Sequence, residues 1–519
     1  MQSPKLERNQ IFILASVLCA IFLAALDQTI VATALPQIVK DLNSFDSISW
    51  VFSSYMLAST VTIPIFGKLA DIYGRRRFYL MGIVVFLAAS VACGLAQSMS
   101  ALIAFRALQG LGAGAIMVNS LAIIGDLFSP AERGKWQGVI SSMFGLASII
   151  GPLLGGWLSD FASWRYVFLV NIPFGLVVLL IIHYNFPHQP KEKQHHTIDY
   201  PGAVLLSLGL LSLLFSAVSV GERHRWHSPQ VLFLLLLSFL LLAAFVRIEL
   251  RAKAPIFPLE LFSNRAFNVS IAVIFLNGMC MFGVISYIPI FAQITLTRSA
   301  SDSGLILIPL ILALTLSSVI SGQIVSRTGK YKIVLIIGSL MTAIGMYLLA
   351  GMGSETTSLQ LLQSMVLMGA GFGTGMPIFI VVTQSSFPHS KLGVVTSSTQ
   401  LFRSIGSTLG IAFLGTLMTA KLSSAMATID PSKFGLHDID VAHFQKYFTP
   451  AFQQHGAPLL KLLRDDFTLS VSYVFSVCAV LSVVSLLLVF FLPEIPLRRR
   501  NEVSMPFLNK PITGLSDQS

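Results

Sequence analysis

Three charged side chains stand deep inside long apolar runs of this 519-residue chain, namely Asp27, Arg106 and Arg403. An ionised acid near the centre of a bilayer costs about 3 kcal/mol on insertion scales. Asp27 should therefore face a cavity and have either a partner or a proton. A carboxyl in that setting is suited to taking up and releasing protons. The alternative is purely structural, a hydrogen bond from Asp27 to a neighbouring helix.

The two arginines cannot perform the same chemistry, because a guanidinium does not usefully lose its proton. Arg106 is the predicted counter-charge, which tunes Asp27 or another acid. Arg403 leaves three interpretations open: an ion pair with an acid, binding of an anionic ligand group, or a side chain that reaches towards the membrane surface. The sequence does not identify a partner for Arg403.

A repeated segment relates two parts of the chain. GKLADIYGRRR at Gly67–Arg77 has a second copy 255 positions later, GQIVSRTGKYK at Gly322–Lys332. The same offset lays GPLLGG (Gly151–Gly156) over GSTLGI (Gly406–Ile411). One offset that fits two separate motifs predicts a duplicated membrane protein, with its two halves joined by an insert.

The two copies differ in where they place charge. Ser326 stands where the first copy has Asp71, so only the first copy has an acid beside its own cations. Two similar halves that differ in where they place charge are what an alternating-access carrier needs.

The composition is that of an integral membrane protein. Hydrophobic residues make up 54% of the chain and charged residues only 11%, against about 25% charged in soluble domains. A span needs about 20 mostly apolar residues. Fourteen such runs are predicted, at 11–35, 49–67, 78–97, 101–124, 136–158, 166–186, 201–220, 230–248, 268–291, 304–325, 331–351, 358–382, 394–419 and 467–492.

The positions of the charged residues and cysteines predict the orientation in the membrane and argue against several kinds of site. Lys and Arg concentrate in alternate loops, beginning with the N-terminal segment, which predicts that both chain ends are cytoplasmic. The net charge of +11 mostly reflects this bias, and its spread over many loops argues against nucleic-acid binding. No disulfide or metal site is expected, because every cysteine falls within a span: Cys19, Cys93, Cys280 and Cys478.

The sequence also lacks the common signatures of catalysis and nucleotide hydrolysis. There is no Walker A, HExxH or GxSxG pattern. The glycine-rich stretch Gly369–Gly375 follows no predicted strand and lies inside an apolar span, so it is not a dinucleotide site. We expect neither an enzyme nor a cofactor, and the energy for any work must come from an ion gradient.

The predicted organisation is two six-helix bundles, at 1–190 and 266–495, around an insert at 191–265 that carries spans 7 and 8. Loop 420–466 is predicted to be external and to include a short amphipathic helix. The tail at 496–519 is predicted to be cytoplasmic.

Five stretches in the expected order resemble the major facilitator superfamily, and within it the fourteen-helix drug/proton antiporters of the EmrB/QacA type. The resemblance implies an all-α major facilitator fold of two six-helix bundles plus two inserted helices, and it extends over nearly the whole chain. The stretches are LDQTIVATALP (Leu26–Pro36), GKLADIYGRRR (Gly67–Arg77), RALQGLGAG (Arg106–Gly114), GLASIIGPLLGGWL (Gly145–Leu158) and WRYVFLVNIPFG (Trp164–Gly175).

The resemblance assigns roles to three groups of residues. Asp27 and Arg106 are implied in proton coupling. A latch that holds the two halves together in the outward-facing state is implied for Gly67, Asp71, Gly74, Arg75, Arg76 and Arg77. The resemblance places Asp71 near the beginning of the second-half span that starts near Gly393, and the start of a helix favours an anion. The antiporter motif of span 5, which shapes and seals a cavity, is implied for Gly145, Gly151, Pro152, Gly155 and Gly156, with close helix packing as the structural alternative.

Contacts with a substrate are expected from polar, aromatic and Met side chains, which can repack around varied ligands. Because Asp27 is nearly alone as an intramembrane acid, neutral, monocationic or weakly anionic hydrophobic substrates are expected. The candidate cavity residues are Gln28, Tyr55, Gln109, Asn277, Met281, Phe282, Tyr287, Gln384 and Arg403.

These observations predict a proton-coupled transporter that exports amphipathic drugs or toxic compounds by alternating access and so confers antibiotic resistance. A dedicated exporter of one native metabolite, such as a siderophore or peptide-like product, shares every motif. The expected location is a bacterial inner membrane. If the host has two membranes, the resemblance implies a periplasmic adaptor and an outer-membrane channel as partners.

Overall fold

The computed structural model describes residues 8–42, 48–186, 199–222, 226–252, 255–297, 305–427 and 457–494. These residues form fifteen α-helices: α1 (Arg8–Leu42), α2 (Ile48–Tyr73), α3 (Arg75–Gly94), α4 (Met99–Leu127), α5 (Pro130–Phe161), α6 (Tyr166–Leu169), α7 (Asn171–Asn185), α8 (Tyr200–Glu222), α9 (Pro229–Glu249), α10 (Arg265–Ile294), α11 (Ile308–Thr328), α12 (Lys332–Ala350), α13 (Ser358–Ser385), α14 (Leu392–Met426) and α15 (Ala457–Phe490). Two short 3₁₀ helices, Leu259–Ser263 and His389–Lys391, precede α10 and α14.

Fourteen segments of the described residues are long and apolar enough to cross a membrane, with α6 and α7 together making one of them. This confirms the predicted all-α fold and span count. The largest boundary error concerns α14 and α15, which extend to Met426 and back to Ala457 instead of stopping near 419 and 467. The extra turns pack Leu422 against Leu459 and Leu463 in one buried cluster. The predicted amphipathic helix and the tail lie outside the described residues.

The repeated motif follows predicted spans 2 and 10, and the structure shows that it is helical over most of its length. In the first copy α2 continues to Tyr73 and α3 begins at Arg75, so only Gly74 interrupts the helices. Gly74 has φ 95° and the matching Gly329 has φ 72°, a backbone region in which glycine carries no steric cost. Both breaks lie at the same end of the molecule, which we call the latch end.

Helices α1–α7 pack among themselves, and so do α10–α15. The inserted pair α8 and α9 forms an antiparallel hairpin, and α8 lies against both α2 and α14. Its contacts include Leu206 and Leu210 with Val61 of the first half and Leu401 of the second half. The insert therefore covers the seam between the halves on one side. The predicted domain boundaries stay a prediction, since residue 190 is outside the described ranges.

Two symmetry-related helix pairs join the halves. At the latch end α2 packs on α14 so closely that a methyl group at Gly67 would lie 2.6 Å from Ser397 Cβ. The matching pair is α5 with α11, where a methyl group at Gly134 would lie 3.0 Å from the Gly322 carbonyl oxygen. Glycine at these crossings lets the helix backbones approach. The halves are therefore closed against each other at the latch end.

Candidate functional site

Asp27 forms a buried ion pair with Arg106. Neither side chain is exposed to solvent, and Nη1 of Arg106 donates to Oδ2 of the carboxylate. The other carboxylate oxygen, Oδ1, accepts from Gln109 Nε2 at 2.9 Å and from Asn171 Nδ2 at 3.0 Å. Ser90 Oγ accepts from the same two amides at 3.0 Å each. We call Asp27, Ser90, Arg106, Gln109 and Asn171 the Asp27 cluster.

Four helices position this cluster. Asp27 comes from the middle of α1 and Ser90 from the last turns of α3. Arg106 and Gln109 lie one turn apart on α4, and Asn171 is the first residue of α7. The start of α4, the end of α3 and the start of α7 all lie away from the latch end. The cluster therefore sits inside the first half, towards the opposite end of the molecule.

Arg106 makes further contacts that hold its charge in place. Nε donates to the Val51 carbonyl at 3.2 Å, Nη1 donates to Gln109 Oε1 at 2.7 Å, and Cζ lies 4.2 Å from the centre of the Tyr55 ring. Cation–π contact strengthens when the charge is desolvated. Nη2 is buried without a hydrogen-bond partner among the described residues. The guanidinium is thus held rigidly, while the Nη2 amino group, with its two N–H bonds, forms no hydrogen bond among the described residues.

The arrangement can hold a proton at one place. Protonation of Asp27 would neutralise the carboxylate and weaken its bond to Arg106, whose own charge persists. Gln28, the next residue on α1, is exposed and its side chain lies near Tyr55, whose hydroxyl donates to the Ala24 carbonyl at 3.3 Å. Tyr55 covers Arg106, so Gln28 and Tyr55 lie between the cluster and the solvent-accessible surface.

At the latch end a second buried charge group ties the halves together. Asp71 accepts a hydrogen bond from the Val394 N–H of α14 at 3.0 Å. Arg75 pairs with Asp71 at 3.0 Å and, through Nε, with Asp126 at the end of α4. The carboxylate of Asp71 is therefore held by its own half and bonds the first turn of a second-half helix. This confirms the predicted position of Asp71.

At the equivalent crossing of α11 and α5, no ion pair or side-chain hydrogen bond joins the two helices among the described residues. Ser326 replaces Asp71 there, and the helices meet through backbone at Gly134 and Gly322. Arg76 and Arg77 face away from the seam: Arg76 donates to the His183 carbonyl, and Arg77 is exposed. The two helix crossings are related by the internal duplication, but only the α2–α14 crossing has a carboxylate that bonds across the seam.

Helix α5 changes partner along its length. Towards the latch end Gly138 faces Ser318 of α11, and Gly145 faces Thr315. Further along, Gly151 and Gly155 turn to α1, where they meet Thr29 and Thr33. Thr29 Oγ1 also donates to the Ala147 carbonyl at 2.9 Å. In the second half the corresponding Gly406 and Gly410 face Phe275 and Met279 of α10 in the same way.

The motif residues of α5 are therefore not equivalent to one another. Pro152 lies inside the helix and is exposed, and Gly156 has no atom within 4 Å of the place a methyl group would occupy. Gly151 has no room for a side chain, because a methyl group added there would lie 2.8 Å from Thr29 Cβ and 3.1 Å from the Ile30 nitrogen. Only part of the motif packs helices.

Gly151→Ala and Gly156→Ala provide a matched test of this difference. Overpacking costs about 1–3 kcal/mol, so we expect Gly151→Ala to lower the stability of the folded protein by that amount. Gly156→Ala should leave stability unchanged or raise it by up to about 1 kcal/mol, because alanine favours helix. Thermal unfolding of the two purified variants measures this. Equal stability would contradict the assigned α1–α5 contact.

The candidate cavity residues fall into two groups. Tyr55, Gln109, Tyr287 and Gln384 are buried: Gln109 belongs to the Asp27 cluster, and Gln384 donates to Thr396 Oγ1 at 2.9 Å. Gln109 therefore lies inside the first half and not on a cavity surface. The candidates with exposed or partly exposed side chains are Gln28, Asn277, Met281, Phe282 and Arg403.

Four residues of these sites went unrecognised in the sequence. Asn171 lies within the noted stretch Trp164–Gly175, which was its only signal. Ser90 has none, because a serine in an apolar helix is common and inexpensive. Asp126 and Arg133 lie at a span end, where charge is expected for topology; Arg133 donates to the Gly125 carbonyl at 2.6 Å and the Phe128 carbonyl at 3.1 Å.

Comparison with known proteins places this geometry in a family. The model of the Major Facilitator Superfamily matches residues 17–411. The multidrug transporter protein MdtP of Bacillus subtilis (strain 168) is 37% identical over 491 residues, covering 90% of each chain. Multidrug resistance protein 3 of the same organism is 33% identical and covers 95% of this chain and 97% of its own.

Solved structures agree on the fold. The human organic anion transporter MFSD10 (TETRAN) matches with a TM-score of 0.61 at 18% identity, over 93% of this chain and 100% of its own. The proton:xylose symporter XylE matches with a TM-score of 0.58 at 15% identity, over 94% and 97%. At such identities the likeness concerns the fold alone. Together with the curated relatives it shows that the chain belongs to the major facilitator superfamily, as a multi-pass membrane transporter of the multidrug-efflux kind rather than an enzyme.

Proposed function

We propose that this transporter exports amphipathic small molecules in exchange for protons, by alternating access. The observation that carries the proposal is the Asp27–Arg106 pair, an acid with no solvent exposure inside a membrane-spanning bundle. A buried ion pair is weak evidence for stability, since desolvation opposes the Coulomb attraction. Burial of the pair is therefore better explained by a function, and proton uptake by Asp27 is the function that we propose.

In the proposed cycle Asp27 is the proton carrier and Arg106 its tuner. Protonation of Asp27 releases Arg106 from its strongest partner, and the hydrogen-bonded amides of Gln109 and Asn171 then rearrange around a neutral carboxyl. These groups come from α1, α4 and α7, so rearrangement alters the packing of the first half. Deprotonation restores the charged pair and resets the bundle.

The latch provides the matching conformational element. The N-terminus and the latch end face the cytoplasm in the orientation predicted from the basic loops. The closed latch end then makes the structure an outward-facing state, held by Asp71 at the start of α14. Opening of the latch exposes the cavity to the cytoplasm. The proposed location is a bacterial inner membrane, with an adaptor and outer-membrane channel if the host has two membranes.

A dedicated metabolite exporter is the second candidate, and the fungal relatives favour it. The Acurin A biosynthesis cluster MFS-type transporter of Aspergillus aculeatus is 30% identical over 493 residues, covering 92% of this chain and 88% of its own. Its name ties it to one biosynthetic cluster. Such a protein would share the proton and latch residues and differ only in the cavity.

Dye accumulation in efflux-deficient cells tests the proposal. Wild-type protein should keep ethidium and other amphipathic dyes out of the cell, and a protonophore should abolish this. Asp27→Asn should accumulate dye like protonophore-treated cells, at equal amounts of membrane-inserted protein. Efflux that persists with the protonophore would rule out proton coupling. Absence of efflux for every dye would favour the dedicated exporter.

A further inference from the structure

Arg403 is a cation without a counter-charge in the middle of the second half. It is an interior residue of α14, about three turns from Leu392 and six from Met426. No ion pair or side-chain hydrogen bond is formed by Arg403 within the described part of the chain. Its own helix α14 and two of the helices packed against it, α10 and α13, contain neither Asp nor Glu.

Four acids of the surrounding helices and loops form ion pairs with other cations. Asp71 on α2 and Asp126 on α4 both pair with Arg75. Asp27 pairs with Arg106 inside the first half. Glu260 pairs with Lys391 at the surface. No ion pair between Arg403 and any acid is formed among the described residues, so the ion-pair interpretation has no contact that supports it.

Arg403 also points away from the lipid side of its helix. Residues four apart lie on one face of a helix, and on that face Thr399 hydrogen-bonds with Thr383 of α13 at 3.3 Å. Ser407 lies against Gly278 of α10. The opposite face carries Leu401, which packs with the insert. Arg403 therefore faces the interior, so reaching towards the membrane surface is not its role.

The side chain of Arg403 is nevertheless partly exposed. Its surroundings on α10 are mixed in polarity: Asn277, Met281 and Phe282 lie within about one turn of Gly278 and are partly exposed too. A permanent cation at this depth costs free energy that the protein itself does not recover. An incoming anion would recover it, because charge-assisted bonds to guanidinium are strong and directional.

We propose that Arg403 is the recognition site for an acidic group of the transported compound, so that amphipathic monoanions, carboxylates above all, are a favoured substrate class. The proposal rests on the proposed export function and deepens it. The carboxylate would bind the Arg403 guanidinium, while the apolar part of the compound would lie against Met281 and Phe282. Neutral amphiphiles could still enter the cavity but would lack this bond.

Binding of two matched probes to purified protein in lipid nanodiscs tests the proposal. The probes are 1-pyrenebutyric acid and 1-pyrenebutanol, which share the ring system and chain and differ in the carboxylate. The proteins are wild type, Arg403→Gln, Arg403→Lys and Lys421→Gln. Lys421 is an exposed cation further along α14, so Lys421→Gln controls for a general loss of charge. Empty nanodiscs give the lipid background.

We expect Arg403→Gln to weaken binding of pyrenebutyric acid about tenfold or more, as for loss of a bond between charged groups. Pyrenebutanol affinity should stay within about twofold, which also reports an intact fold, and Arg403→Lys should retain part of the carboxylate affinity. Lys421→Gln should match wild type. Equal affinity of wild type for both probes, or equal loss of both in Arg403→Gln, would overturn the proposal.

The assay needs no ion gradient, so its outcome is independent of proton coupling. Carboxylate binding that depends on Arg403 would stand even if the protonophore left efflux unchanged. Conversely, dye efflux could be proton-driven while the purified protein shows no preference for the carboxylate probe. That result would support the export function and would contradict a role of Arg403 in substrate recognition.

Discussion

Asp27→Asn is expected to destabilise the folded transporter by about 3–5 kcal/mol, the typical result of removing one partner of a buried ion pair. The substitution preserves the shape of the side chain and leaves Gln109, Asn171 and Ser90 with bonding partners. What it removes is the negative charge facing Arg106, which has no solvent exposure. Equilibrium unfolding of purified protein in mixed micelles measures the loss.

Two controls separate charge from packing. In the double variant Asp27→Asn with Arg106→Gln no charge remains in the cluster, so most of the lost stability should return. Asp41→Asn changes an exposed acid on the same helix, one that accepts a hydrogen bond from Trp164 at 2.9 Å. It should cost about 1 kcal/mol or less. A double variant as unstable as Asp27→Asn would contradict the assignment of Arg106 as the unpaired charge.

Asp71→Asn is expected to reduce the closed-latch population relative to the open one by about ten- to hundredfold, the equivalent of losing a charged hydrogen bond of about 1.5–3 kcal/mol. Asp71 accepts the Val394 N–H and pairs with Arg75. An asparagine can still accept the first bond, but it loses the charge that favours the helix start. The equilibrium then moves towards separation of α2 from α14.

Spin labels at the exposed positions Tyr73, at the end of α2, and Thr328, at the end of α11, would report latch opening. The distance between the two labels, measured by pulsed electron paramagnetic resonance, should become longer. Ser326→Ala is the matched control, because Ser326 occupies the equivalent position of the second copy without fastening the seam. Its distance distribution should match wild type. A distribution in Asp71→Asn that is unchanged from wild type would remove Asp71 from the latch.

The membrane-spanning helices were predictable because the bilayer requires each span to be a long apolar helix. Spans, their number and the all-α class follow from the length of apolar runs. The 255-residue offset predicted which helices correspond, and the packing of Gly151 and Gly406 on matching helices agrees with it. Boundaries were less predictable where helices leave the membrane, as at Ala457, because packing between amphipathic turns decides them and hydropathy does not.

The residues that carry charge inside the membrane were equally visible, since each is costly and therefore rare. Asp27, Arg106 and Arg403 stood out by type alone, and the resemblance to the antiporter family implied the position of Asp71. Their partners did not stand out. Ser90 and Asn171 cost little free energy in an apolar helix, so their presence gives no signal. Gln109 resembles any polar cavity residue in the sequence, and only the structure shows that its amide donates to Asp27.

The sequence by itself thus determined the membrane fold, the duplication and the few charges that need an explanation, because hydropathy and insertion cost act on each residue separately. Only the tertiary structure decided which charges cancel. It brought α1 and α4 together so that Asp27 neutralises Arg106, and it left Arg403 without an ion pair among the described residues. Pairing depends on distances between residues remote in the chain, which no local pattern encodes.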